Sequence, residues 1–201
     1  MKNSLIILGF FVLGLSLGLT RHLPDVIMES DFSMYALYLL MFLVGIGIGA
    51  DRSSWKIIRE TNIKIVLVPT CVVIGSLLGV ALFSVFLPQI NIREALAVGA
   101  GFGYYSLSSI FITQISGETL GVIALLSNII REIITLLATP LFVRYFGKLA
   151  GIASGGATSM DTTLPIIAQY SGKEWAIISV FSGIVLTILV PFLIPFILEV
   201  I

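Results

Sequence analysis

The chain has 201 residues, 58% of them hydrophobic and 11% charged, with 11 Lys plus Arg against 11 Asp plus Glu. Soluble domains carry about 25% charged residues, and apolar runs of membrane-spanning length recur here from end to end, so the chain is a polytopic membrane protein. The even balance leaves no basic patch for nucleic acid. One Cys (Cys71) and one His (His22) exclude an internal disulfide framework and a zinc cluster. Neither a phosphate-binding loop nor a dinucleotide fingerprint is present, which excludes ATP hydrolysis by the common route, and no cofactor is expected.

Seven hydrophobic segments follow in chain order, at roughly 4–20, 32–50, 64–87, 95–117, 119–143, 150–172 and 175–198. The first resembles a signal peptide but lacks a small-x-small cleavage site and is followed by further spans, so it reads as a helix. Glycines in "GFFVLGLSLG" and "VGIGIGAD" suit close helix packing. Asp51 with Trp55, and Lys173 with Trp175, read as interfacial anchors.

Segments 95–117, "ALAVGAGFGYYSLSSIFITQISG", and 150–172, "AGIASGGATSMDTTLPIIAQYSG", differ from the other five. Gly costs about 1 kcal/mol in a helix relative to Ala, and Pro about 3 kcal/mol. Irregular backbone at membrane depth is tolerated where protein or a water-filled cavity satisfies it. At an offset of 55 the two align, Gly101 with Gly156, Ser106 with Asp161, Gln114 with Gln169, and Ser116-Gly117 with Ser171-Gly172. Paired interrupted segments in corresponding halves point to a transporter's binding site.

Loop 51–64 carries Arg52, Lys56, Arg59 and Lys64, whereas loop 21–31 sets Arg21 against Asp25, Glu29 and Asp31. The positive-inside rule therefore places loop 51–64 and the N-terminus in the cytoplasm. If 95–117 dips in from outside and returns, Arg144 and Lys148 are also cytoplasmic. The fold expected is all-α, with five transmembrane helices plus two opposed re-entrant hairpins and an inverted repeat in the C-terminal half. Seven full spans is the alternative, and both leave the C-terminus outside. Residues 1–90 form a three-helix unit for contact with a partner, and 91–201 the transport core.

Three strong charges sit well inside hydrophobic segments: Arg131, Glu132 and Asp161. In 119–143, Asn128, Arg131, Glu132, Thr135 and Thr139 fall three and four residues apart and form one polar stripe, which must face protein or water. Arg131 and Glu132 read either as a structural ion pair with neighbouring helices or as binding groups. Asp161 reads either as the N-cap of the half-helix after it or as a cation or proton site at a hairpin tip. Half-helix C-termini and unwound carbonyls favour cations. The hydroxyls of Ser154, Thr158, Ser159, Thr162 and Thr163 would add ligands, and Tyr104, Tyr105 and Ser106 bring hydroxyls to the tip of the first hairpin. A zwitterionic substrate suits this site, its carboxylate on backbone N–H groups and its ammonium on Asp161 or Glu132.

At "GAGFGYYSLS", "SNIIREI" and "GGATSMDTTLP" the sequence resembles the lysine exporter LysO family, over its C-terminal two thirds and from about residue 35 onward. The resemblance implies export of L-lysine and toxic lysine analogues across the bacterial inner membrane, with Asp161, Arg131, Glu132 and Asn128 as functional residues. It departs at Ile129, where members often carry an acidic residue, and it lacks an N-terminal three-helix unit found in longer members. That implies a homodimer or a complex with a small membrane subunit. The function expected is a secondary exporter of lysine or a similar cationic amino acid, coupled to a proton or sodium gradient. The alternatives are a membrane subunit or pore-forming protein inactive without a partner, or an intramembrane aspartyl protease, whose chemistry needs two carboxylates sharing a proton. Of the four Asp, Asp25, Asp31 and Asp51 lie at loops or boundaries, so Glu132 would have to be the second carboxylate.

Overall fold

The computed structural model describes residues 63–200, together with Leu13, Ser16, Leu17, Tyr35, Leu39, Phe42 and Ile46. The chain divides into two compact units, Met1–Phe42 and Leu43–Ile201. In the first, Leu13, Leu17, Tyr35, Leu39 and Phe42 are helical and expose apolar side chains at helical spacing. Most of the expected spans 4–20 and 32–50, and nearly all of loop 51–64, lie outside the described residues.

The described part of the second unit is all helical. After a 3-10 turn (Ile63–Val66) come α1 (Leu67–Ser84), α2 (Ile92–Gly99), α3 (Tyr105–Ser116) and α4 (Glu118–Phe146). Then follow α5 (Leu149–Gly155), a 3-10 turn (Gly156–Met160), α6 (Leu164–Ser171), a 3-10 turn (Lys173–Trp175) and α7 (Ala176–Val200). Among the described residues three helices are long and apolar enough to cross a membrane: α1, α4, and α7 with its leading turn. The two glycine-rich segments are each split into short pieces. At about 1.5 Å per residue, none of those pieces alone matches the hydrocarbon thickness of about 30 Å.

Local sequence explains where the pieces start and stop. Asn91 caps α2 through a capping box: its Oδ1 accepts from the Arg93 N–H at 3.2 Å, and the Glu94 carboxylate accepts from the Asn91 N–H at 2.9 Å. α3 and α6 both stop at a glycine with positive φ, Gly117 at 92° and Gly172 at 108°, a conformation that favours glycine. These two are partners at the offset of 55. Pro165 does not break a helix, as its expected penalty would require. It lies in the first turn of α6, where an N–H has no helical partner to lose.

α4 has two faces. Val122, Leu126, Ile130, Ile133, Leu137 and Leu141 recur every three or four residues and are exposed, as a lipid-facing row must be. On the other face Ala124, Asn128, Thr135 and Thr139 are buried, so the polar stripe turns inward, as expected. Lipid is as apolar as Leu, so helices here are held by close packing rather than by expulsion of water. Small residues make that possible. A Cβ on Gly183 of α7 would lie 2.6 Å from Met160 Cβ and 2.8 Å from Ala157 O, and one on Gly121 would collide with the Thr113 hydroxyl.

The chain doubles back between α5 and α6. The Ser171 hydroxyl donates to Lys148 O at 2.8 Å, and Lys148 Nζ pairs with Glu174 at 3.3 Å. Deeper in, Gly151 faces Ile167, and Gly155 faces Thr163. Start and end of this segment therefore lie side by side, with Gly156–Met160 at the far end.

Candidate functional site

The two interruptions meet each other. In the first, residues 100–104, Phe102 takes a φ of 47° and Gly103 of 95°. In the second, Gly156 takes a φ of 61°. The Ala157 N–H donates to Phe102 O at 2.8 Å, and a Cβ on Gly156 would collide with that carbonyl. Phe102 is fully buried at 0% exposure, so its uncommon backbone conformation is held from all sides.

Unwound backbone leaves donors and acceptors to satisfy, and α4 supplies much of what is needed. The Gly103 N–H donates to Asn128 Oδ1 at 2.7 Å, while Asn128 Nδ2 donates to Ala124 O at 2.9 Å and lies 3.4 Å from Val98 O and from Ser108 Oγ. One turn on, Arg131 Nε donates to Ser154 O at 2.9 Å, and its two terminal nitrogens donate to Ala153 O at 3.0 Å and to Ser76 Oγ at 3.1 Å. Thr135 Oγ1 donates to Arg131 O at 2.9 Å and shares a 2.7 Å hydrogen bond with Ser154 Oγ. Among the described residues neither Arg131 nor Glu132 joins an ion pair; the pair seen there is Lys148–Glu174. The structural ion pair considered for them is therefore not formed among the described residues. Arg131 serves main-chain carbonyls, which a planar fork of donors fits well.

Ser159 also holds structure. Its hydroxyl, fully buried, lies 2.7 Å from Gly156 O and 2.9 Å from Ser179 O, its one proton shared between the two carbonyls, while Ser179 Oγ donates to Ser159 O at 2.7 Å. Asp161 is different. It is exposed, and its Oδ1 accepts from the Thr162 N–H at 2.6 Å and from the Thr162 hydroxyl at 3.2 Å. It is not the N-cap of α6: Thr163 holds that position and no side chain caps the helix. Asp161 sits two residues too early and bonds its own neighbour.

Tyr104, Tyr105 and Ser106, half-buried, mark the exit from the first interruption. The structure keeps Thr162 beside Asp161 at the end of the second interruption. It takes Asn128, Arg131 and Ser159 into the scaffold behind. Backbone N–H groups are not available at the first interruption for a substrate carboxylate, because those of residues 101 to 105 all have partners. Sequence reading missed Ser76 and Ser179, each in a long apolar helix that carries a second serine, with no pattern to mark which one would serve a partner. Among the described residues no group of three His, Cys, Asp or Glu could hold a metal ion.

A membrane chain whose described part is all helical, and whose two interrupted segments meet in its core, has the construction of a membrane transporter. The chain belongs to the lysine exporter LysO family, whose description matches residues 8–198, further toward the N-terminus than the residue-35 boundary drawn from motifs. That family is one of transporters, not enzymes. Over 194 residues the chain is 35% identical to the lysine exporter LysO of Escherichia coli (strain K12), covering 96% of this chain and 64% of that protein. Over 164 residues it is 35% identical to a Haemophilus influenzae protein provisionally named a lysine exporter, covering 82% of this chain and 83% of that one. The chain thus spans 64% of the length of the Escherichia coli relative. No solved structure matches it.

Proposed function

We propose that the chain is the transport core of a secondary exporter that carries L-lysine, and toxic lysine analogues, outward across the bacterial inner membrane, coupled to a proton or sodium gradient. The observation that carries this reading is the exposed carboxylate of Asp161 beside the point where the two interruptions touch. A charge at membrane depth costs at least about 2.5–3.5 kcal/mol. A water-filled path along which a cation passes offsets that cost, and no capping bond accounts for the residue.

Lysine carries two ammonium groups and one carboxylate. Asp161 and Glu132 take the ammonium groups, and the hydroxyls of Tyr104, Tyr105 and Thr162 complete the site, with Ser106 at its edge. Asn128, Arg131 and Ser159 keep the unwound backbone in place behind it. In this reading 92–116 enters from outside and returns, and 149–171 enters from the cytoplasm and returns. The two halves are inverted copies, the N-terminus is cytoplasmic and the C-terminus outside. The side-by-side start and end of 148–174 supports the second hairpin, and the matched glycines Gly117 and Gly172 support the repeat.

The reading includes assembly, either with a second copy or with a small membrane subunit docked on residues 1–90. The test is lysine efflux from preloaded bacteria that lack their own exporter. Export above the background of the host supports the reading, with or without a co-expressed subunit. No export in either setting contradicts it.

A further inference from the structure

We propose that Arg131 is a built-in cation that fills the carbonyl cluster at the end of α5, so that the crossing binds no sodium ion and transport needs none. This rests on the exporter reading for its consequence, but the site itself is defined by α4, α5 and the turn after it.

An interrupted helix presents its last carbonyls without helical partners, and those carbonyls, at the negative end of the half-helix dipole, attract a cation. Here each of them has a donor from the chain itself. Ile152 O accepts from the Gly156 N–H. Ala153 O accepts from one terminal nitrogen of Arg131 at 3.0 Å, and Ser154 O from its Nε at 2.9 Å. Gly155 O accepts from Thr158 Oγ1 at 3.0 Å, and Gly156 O from Ser159 Oγ at 2.7 Å. The third arm of the guanidinium reaches Ser76 Oγ of α1 at 3.1 Å. Within the set, Ala153 O and Ser154 O are the two carbonyls held by the guanidinium. Among the described residues the guanidinium meets no carboxylate within ion-pair distance, and the groups it does meet are this cluster of carbonyl dipoles and Ser76 Oγ.

The first interruption differs in a way that sharpens the point. There α4 offers the neutral amide of Asn128, and the cation three residues further on serves the second interruption alone. A positive charge fixed permanently at the crossing occupies the place a coupling ion would take. The exchangeable charge then resides on Asp161 and Glu132, which take up lysine and release it for a proton. Arg131 is a positioning residue, acting through the α5 carbonyls on the segment that carries Asp161.

The test is a pair of measurements on the purified full chain in detergent and in proteoliposomes. First, melting is followed in sodium chloride and in choline chloride of equal ionic strength. Wild type should melt identically in both. Arg131→Ala should melt lower, and methylguanidinium, the free counterpart of the missing side chain, should restore about 3–8 °C at saturation while choline restores nothing. Arg131→Lys, which keeps a tethered charge, should stay indifferent to sodium. Second, lysine counterflow by wild type should be equal with and without sodium. Sodium-dependent melting or counterflow of wild type would overturn the proposal, as would an Arg131→Ala protein that folds and responds to neither methylguanidinium nor sodium. If Arg131→Ala does not fold, the wild-type and Arg131→Lys arms still decide. Melting does not require lysine transport, so failure of the exporter reading shows separately, as absent counterflow with the melting behaviour intact.

Discussion

The main chains of Phe102 and Ala157 are joined by a 2.8 Å hydrogen bond, carbonyl to amide, at the one place where both glycine-rich segments have left the helix. Neither residue has a side chain suited to polar contact. The contact is made by backbone, and it is possible because Gly156 has no Cβ to strike the Phe102 carbonyl.

Replacing Gly156 by Ala should therefore destabilise the protein by about 1–3 kcal/mol, since the new side chain meets backbone and the φ of 61° is unfavourable for it. Gly79→Ala is the control. Its Cβ would have nothing within 4 Å, and it lies within α1, so stability should stay level or rise by up to about 1 kcal/mol. Melting of the two purified variants in detergent checks the contrast.

Asn128→Ala removes the acceptor for the buried Gly103 N–H. Leaving such a donor unpaired costs about 1–3 kcal/mol. The variant should melt lower, and lysine efflux should fall because the first interruption loses its support. Efflux per inserted molecule and melting should decline together.

Glu132→Gln keeps the size of the side chain and removes its charge. If Glu132 receives one ammonium group of lysine, the lost charge-assisted bond should raise the half-saturating lysine concentration about 10–100-fold. Folding should be unaffected, because among the described residues Glu132 joins no ion pair. Counterflow against lysine concentration in proteoliposomes measures this.

The proposed path of the chain is checked by labelling single cysteines in a variant lacking the exposed Cys71. Gly117→Cys should react from outside in intact cells, and Gly147→Cys only after permeabilisation. Seven full spans would give the reverse pattern.

Much of this was legible in the sequence, for a physical reason. A helix in lipid tolerates glycine, hydroxyl and proline clusters poorly unless something satisfies the backbone, so 95–117 and 150–172 stood out. The inward stripe of α4 followed from spacing alone. What could not be read was which polar group would serve which partner. Nothing in Phe102 marks a residue bound for a φ of 47°. The arginine was weighed against carboxylates, whereas it serves the carbonyls of Ala153 and Ser154, which every residue carries. Asp161 was weighed as a cap because Asp commonly caps. The second interruption, however, runs on to Thr163 before α6 begins, which leaves Asp161 free for another role. The offset of 55 holds at Gly117 and Gly172, which end α3 and α6. By contrast, Ser106 lies in the first turn of α3 while its partner Asp161 precedes α6.

The central claim is that Asp161 is a transport site. Its most direct test is lysine efflux from preloaded exporter-deficient cells carrying wild type or Asp161→Asn, with the amount of each protein in the membrane measured alongside. Efflux from the variant should fall to host background at undiminished membrane levels. Efflux from Asp161→Asn at the wild-type rate would contradict it.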